Sequence, residues 1–224
     1  MARSSVDIYT IVRSRVMAGF YPPGAHLTEA ALCTELAVSR NPVRAALRRL
    51  GEEGLVRVEL NKGAFVAEYT RSDIDEVFEL RQLLESRAAR LAATRRTERD
   101  MRVLWESVEH MHRIARDKGE GYLDELHRSD CDFHRAVLAA AEAPRTFRIA
   151  RALAETSMTL GTFFYYSDDD IDRTVQFHRD LAQAIAAREP DLAASLMSAH
   201  LGLAHVAFMA RRFAEIDDAA AGRG

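Results

Sequence analysis

The chain of 224 residues has only two cysteines, Cys33 and Cys131, far apart in sequence. That scarcity excludes a disulfide framework and points to a reducing compartment. It has five prolines and one tryptophan. With so few breakers and so much Ala, Leu, Arg and Glu, most of the chain is expected to be helix. No apolar run approaches the ~20 residues a bilayer span needs, so no membrane partner is expected. The opening "MARSSVDIYTIVRSRV" scatters charges through its apolar residues and has no signal core, which argues against secretion and for the cytoplasm.

A strong net charge is also missing: the formal value is −3. The distribution is nevertheless uneven. Residues 1–66 carry nine Lys/Arg against six Asp/Glu, and the remainder 22 against 28. A small basic part followed by a larger acidic one suggests that only the first meets a polyanion.

In the basic part, residues 5–18 read as a helix that "GFYPPGAHLT" breaks. Thr28 caps a short helix through Leu36. After a brief turn at Ala37-Val38, a third helix opens with Ser39 or Asn41 as its cap and Pro42 in its first turn. Val43, Ala46, Leu47 and Leu50 face inward, while Arg40, Arg44 and Arg48 stack along the other side. Two short β-type runs then flank Asn61-Lys62-Gly63, a turn signal. Helix, helix, turn, helix, hairpin is the order of a winged helix-turn-helix. Arg40, Asn41, Arg44 and Arg48 fit the major groove, where arginine can bond guanine through paired N–H groups. Lys62 and Gly63 at the wing tip could approach a phosphate.

From Ser72, an expected N-cap, nearly everything reads as helix: about 73–94, 98–117, 120–142, 144–166, 170–188 and 190–217. Thr97 caps the second and Pro190 opens the last. Three of these helices interrupt their apolar face with ionisable groups. Asp130 and His134 sit four apart among Leu126, Phe133 and Val137. His178 lies in the stripe Ile171, Val175, Ala182, Ile185, and His200 in the stripe Leu196, Leu203, Ala207. A buried histidine is most often a hydrogen-bonded core residue, but one carboxylate and three imidazoles on separate helices make a set suited to a divalent transition metal. Zn²⁺ is the first expectation, with Ni²⁺ or Mn²⁺ as options that keep positions open. Cys131 and Asp132 are rival ligands, although Asp132 lies roughly 200° round the helix from His134. His26, His110, His112 and His205 have no comparable partners and read as surface or structural. Arg81 interrupts the stripe Val77, Leu84, Ala88, with Glu85 one turn on. It is either half of an intrahelical ion pair or a fork aimed at an anionic ligand.

The stretch "GFYPPGAHLTEAALCTELAVSRNPVRAALRRLGEEGLVRVELNKGAFVA" resembles the DNA-binding domain of the GntR family of bacterial transcription regulators. The PPG–HLTE segment, the VSRNPVRAAL helix, the RLGEEGLV exit and the NKGAFV wing carry the likeness. Ala45 stands where that family usually has Glu, and Ala30 where it sometimes has Arg. Three later stretches resemble the all-helical FCD effector domain of the FadR-type branch: "ELRQLLESRAARLAA", "SDCDFHRAVLAAAEAP" and "FHRDLAQAIAAREPDLAASLMSAHL". This likeness covers about residues 73–210. It implies a metal, commonly zinc, on Asp130, His134, His178 and His200, which helps to hold a small organic acid.

The expected protein is therefore mostly α: a winged helix-turn-helix over 1–68, a linker at 69–72, an all-helical metal- and effector-binding bundle over 73–217, and a disordered tail at 218–224. Its expected role is a homodimeric repressor on a palindromic operator, answering to a small carboxylate held near Arg81. Two rivals stand beside it: a sensor of the metal alone, and a metalloenzyme with an appended DNA domain.

Overall fold

The computed structural model of the protein describes residues 5–17, 20–59, 62–160 and 162–221. The chain divides into two compact units, one of Met1–Thr70 with Thr159–Gly161 and the other of Arg71–Met158 with Thr162–Gly224.

The first unit runs α1 (Ser5–Met17), β1 (His26–Leu27), α2 (Glu29–Leu36), α3 (Arg40–Glu52), β2 (Val56–Glu59) and β3 (Gly63–Val66). Thr28 caps α2, its hydroxyl accepting from the Ala31 amide at 3.1 Å. Ser39 takes the cap position of α3 without a side-chain bond. Sequence reasoning overlooked β1, a two-residue strand too short to show alternation. It pairs antiparallel with β3, as β2 does on the other edge, in the order β1-β3-β2. Asn61 of the expected turn lies outside the described residues. Ile8, Val12, Leu32, Val43, Leu50 and Ala64 are among the residues that fill this unit's core.

The second unit is helical: α4 (Arg71–Arg95), α5 (Glu98–Asp117), α6 (Tyr122–Ala140), α7 (Pro144–Leu160), a single 3-10 turn (Thr162–Tyr165), α8 (Asp168–Ala186) and α9 (Pro190–Ala221). Thr97 and Asp100 form a reciprocal capping box on α5, and Ser167 and Asp170 another on α8. Ser72, expected as a cap, lies inside α4, which begins at Arg71; Asp73 in its first turn complements the helix dipole. One helix was expected over 144–166, but α7 ends at Leu160 and the aromatic run after it turns tightly, in line with its weaker helix propensity. α9 runs past residue 217 to Ala221, because its alanines are good helix formers; residues 222–224 lie outside the described part.

Helix ends are tied by arginines from neighbouring elements. Arg95 donates to the carbonyls of Ala141 and Glu142, Arg96 to that of Ala186, and Arg188 to that of Thr94. Leu104, Val108, Leu126, Phe133, Ile171, Ile185 and Met197 belong to one continuous core. One sequence expectation needs correcting. By length and composition alone, Pro190–Ala214 of α9 is apolar enough to cross a bilayer. Its inner face, however, buries Ala193, Met197, Leu201 and Phe208 together with His200 and Arg212, and ionisable groups at mid-helix are costly in lipid.

Candidate metal centre and nucleic-acid interface

Asp130 and His134 reach inward from α6, His178 from α8 and His200 from α9. One ligand-capable atom of each lies within 4.8 Å of the other three. The three imidazoles are 1–5% exposed, and the Asp130 side chain 13%. Phe133 packs edge-on against His178, their ring centroids 4.5 Å apart, which fixes that ring's plane.

Hydrogen bonds decide which way the lone pairs point. His134 Nδ1 donates to Glu85 Oε2 at 2.5 Å. Burial would raise the Glu85 pKa, but the Arg81 guanidinium and His134 outweigh it and bring it to about 2, so this carboxylate only accepts. His178 Nδ1 donates to the Thr174 carbonyl at 2.7 Å. In the neutral rings both Nε2 atoms therefore carry lone pairs. His134 Nε2 faces His200 Nε2 at 3.2 Å, and the His178 Nε2 makes no hydrogen bond although Asp130 Oδ1 is 3.2 Å away. Burial, then the two neighbouring rings, push the His200 pKa well below 6.5, keeping it neutral. Burial opposes ionisation of Asp130, yet positive charge among the surrounding rings holds its pKa far below the usual range, so the carboxylate calls for a cation beside it. Converging lone pairs and a carboxylate form a dry, electron-rich centre. A cation in its middle satisfies all of them at once, so the donor set fits a divalent transition metal.

The rival ligands lie elsewhere. Asp132 is turned outward to Arg135 at 2.5 Å. Cys131 is buried, and burial raises its thiol pKa, disfavouring the thiolate a metal needs. His205 pairs with Asp75 at 2.8 Å, and His26 stacks on Phe65.

Arg81 and Glu85 form a buried ion pair on α4, Nε to Oε1 at 2.6 Å. Arg81 also lines a small cavity shared with Asp130, His134, His200, Thr162 and Tyr166. Its volume, about 10 Å³, suits one water or an ion. Glu85 appeared in sequence only as the partner of Arg81. Its contact with His134 joins two residues 49 apart on α4 and α6, beyond what periodicity on either helix reveals.

In the first unit, Arg40, Asn41, Arg44 and Arg48 are exposed along α3. Arg44 is engaged by Glu29, Nε to Oε1 at 2.7 Å and Nη2 to Oε2 at 2.9 Å. Arg48 lies 3.8 Å from Glu52. Arg49 instead belongs to the scaffold: it sits over the Tyr9 ring at 3.6 Å and beside Glu53 at 3.4 Å. On the wing, Lys62 Nζ meets Glu59 at 3.0 Å, and Arg57, unremarked in sequence, meets the same carboxylate. Gly63 has φ +107°, and a Cβ there would press on the His26 ring at 3.1 Å and the Leu27 carbonyl at 3.3 Å. The wing thus needs glycine to lie close to β1.

Residues 4–66 match the family model of bacterial regulatory proteins of the gntR family, and residues 76–203 that of the FCD domain. The HTH-type transcriptional repressor RspR of Escherichia coli K12 is 27% identical over 198 residues, covering 87% of this chain and 84% of that protein. A probable D-xylose utilization operon transcriptional repressor of Paenarthrobacter nicotinovorans is 30% identical over 186 residues, covering 83% and 80%. Among solved structures, E. coli McbR/YncC superposes with a TM-score of 0.68 at 19% identity, over 95% of this chain and all of that one, a likeness of fold.

Proposed function

The chain belongs to the gntR family of bacterial regulatory proteins and carries an FCD domain, and from that premise we propose that it is a cytoplasmic, homodimeric repressor whose grip on a palindromic operator is set by a small carboxylate at a divalent metal. It is a transcription regulator and not an enzyme. The metal is held by Asp130, His134, His178 and His200, with Zn²⁺ first by its preference for imidazole, and Ni²⁺ or Mn²⁺ as ions that would leave positions for the effector. The observation that carries this reading is the convergence of four buried donors within 4.8 Å, two of whose imidazoles have their tautomer fixed from outside.

Arg81 reads the carboxylate from the cavity wall. As packed, that cavity has room for an ion and not for an organic acid. An effector therefore binds a different packing of the surrounding helices more tightly, which is the only way a ligand can shift an equilibrium. The DNA contacts fall to Arg40, Asn41, Arg44 and Arg48 on α3 and to Lys62 and Gly63 on the wing. One such head reads little sequence alone, so two act together on a two-fold site.

His178→Ala is expected to lower metal content and effector response together while leaving DNA binding to arbitrary sequence intact, read by elemental analysis and calorimetry on one preparation. Wild-type metal content in that variant removes the metal centre from the proposal. The small cavity also favours a second reading, in which the metal itself is the signal. Operator release on chelation, unaffected by any added carboxylate, selects that reading.

A further inference from the structure

Glu29 opens α2, and its carboxylate lies over the middle of α3. Both of its oxygens are used by one partner: Oε1 accepts from Arg44 Nε at 2.7 Å and Oε2 from Arg44 Nη2 at 2.9 Å. The neighbouring pair Arg48–Glu52 is a looser contact at 3.8 Å within one helix. The Glu29–Arg44 pair instead bridges two helices with fork geometry, which fixes direction as well as distance. The α2 N-terminus adds its dipole to the attraction for the carboxylate. The Arg44 hydrogen bonds and the nearby Arg40 hold the Glu29 pKa below its ordinary value, so the carboxylate stays charged.

A guanidinium has five N–H groups on three edges. Glu29 occupies the side edge, Nε with one hydrogen of Nη2. What remains is the end edge, Nη1 beside the second hydrogen of Nη2, two nearly parallel donors. Guanine offers two matching acceptors, O6 and N7, on its major-groove side. Arg44 is 64% exposed as a side chain and Glu29 30%, so the clasp leaves most of the Arg44 side chain open to solvent. A carboxylate this close to a DNA surface repels phosphate. Its net value therefore lies in direction, not in attraction.

We propose that Glu29 is a positioning residue for operator recognition, holding Arg44 by its side edge so that the end edge meets a guanine in each half-site. This rests on the placement of Arg44 in the DNA interface. Glu29 itself touches no base. It limits the rotamers of a long side chain before DNA arrives, and its charge lowers the affinity for arbitrary sequence.

The test uses the full-length protein, a duplex that the wild type selects from a randomised pool, and a scrambled duplex of the same length. Glu29→Ala is expected to weaken binding to the selected duplex about three- to tenfold, with binding to the scrambled duplex unchanged or tighter. Glu29→Gln, which keeps one acceptor oxygen and serves if the alanine variant misfolds, should fall between. Repeating the selection with Glu29→Ala should show a weaker preference for guanine at one position per half-site. In an Arg44→Ala background, Glu29→Ala should leave the ratio of the two affinities unmoved. Three results overturn the proposal. One is an unchanged or higher ratio in Glu29→Ala with Arg44 present. A second is a full loss of ratio that persists without Arg44, which makes Glu29 itself the reader. The third is Arg44→Ala keeping the wild-type ratio, which removes Arg44 from the interface and the clasp with it.

Discussion

Two arginine–glutamate pairs, one in each unit, have nearly the same N···O separation in opposite surroundings. Arg44 Nε reaches Glu29 at 2.7 Å on an exposed helix face, and Arg81 Nε reaches Glu85 at 2.6 Å among buried side chains. Water surrounds the first pair, so it contributes little to stability and can shift its free N–H groups to another acceptor. The second has no such exchange: removing one member leaves the other charged in the core. Identical chemistry is thus a solvated clasp in the head and a buried strut in the bundle, and the strut continues through Glu85 to His134.

Arg81→Ala tests that contrast most severely. It strands the Glu85 carboxylate and should destabilise the helical unit by about 3–5 kcal/mol. The chain's single tryptophan, Trp105 on α5, reports denaturant unfolding of that unit alone. A loss below about 1 kcal/mol would mean that the pair is no more fixed than its exposed counterpart. Arg44→Ala should leave that transition in place and instead cost about 1–3 kcal/mol in specific operator affinity, with weaker preference at one base pair per half-site. Equal losses on operator and scrambled duplexes would reduce Arg44 to a phosphate contact.

A smaller effect separates the units by pH. Tyr9, in the head, donates to Glu53 at 2.7 Å; burial first, then Glu53, raise its pKa to about 12. A group whose acid form is favoured by folding stabilises fully below its unfolded pKa near 10 and loses that contribution as pH rises toward 12. The head should therefore weaken on the alkaline side, and Tyr9→Phe should flatten that limb, as followed by circular dichroism against the Trp105 signal. An unchanged alkaline limb in Tyr9→Phe would assign the weakening to another group. Smallest of all, Lys62→Ala should weaken operator and scrambled duplexes alike and reduce the slope of log affinity against log salt by about 1. A loss confined to the operator would make the wing a base reader.

What the sequence revealed follows the range of the interaction. α5 came out with its observed bounds, because Thr97 and the apolar period are signals within one helix. Asp130 and His134 stood out for the same reason, as an i, i+4 pair on a buried face. The start of α8 was placed too late: Ser167 and Asp170 form a capping box inside a run of aspartates that reads as a break. Glu85 on His134 and Glu29 on Arg44 were invisible as contacts, since each joins two elements whose relative orientation no periodicity encodes.

The arginine ties at the helix ends carry a consequence for synthesis. Arg96 reaches the Ala186 carbonyl, and Arg188 returns to Thr94, so the end of α4 and the end of α8 hold one another across some ninety residues of chain. The donors from Glu85 to His200 are spread over an even longer stretch. Such long-range closures are slow and come late. The head's own helices and strands, by contrast, are all delivered by Val66. As the ribosome delivers the chain, the winged head can therefore fold while the helical bundle is still half made.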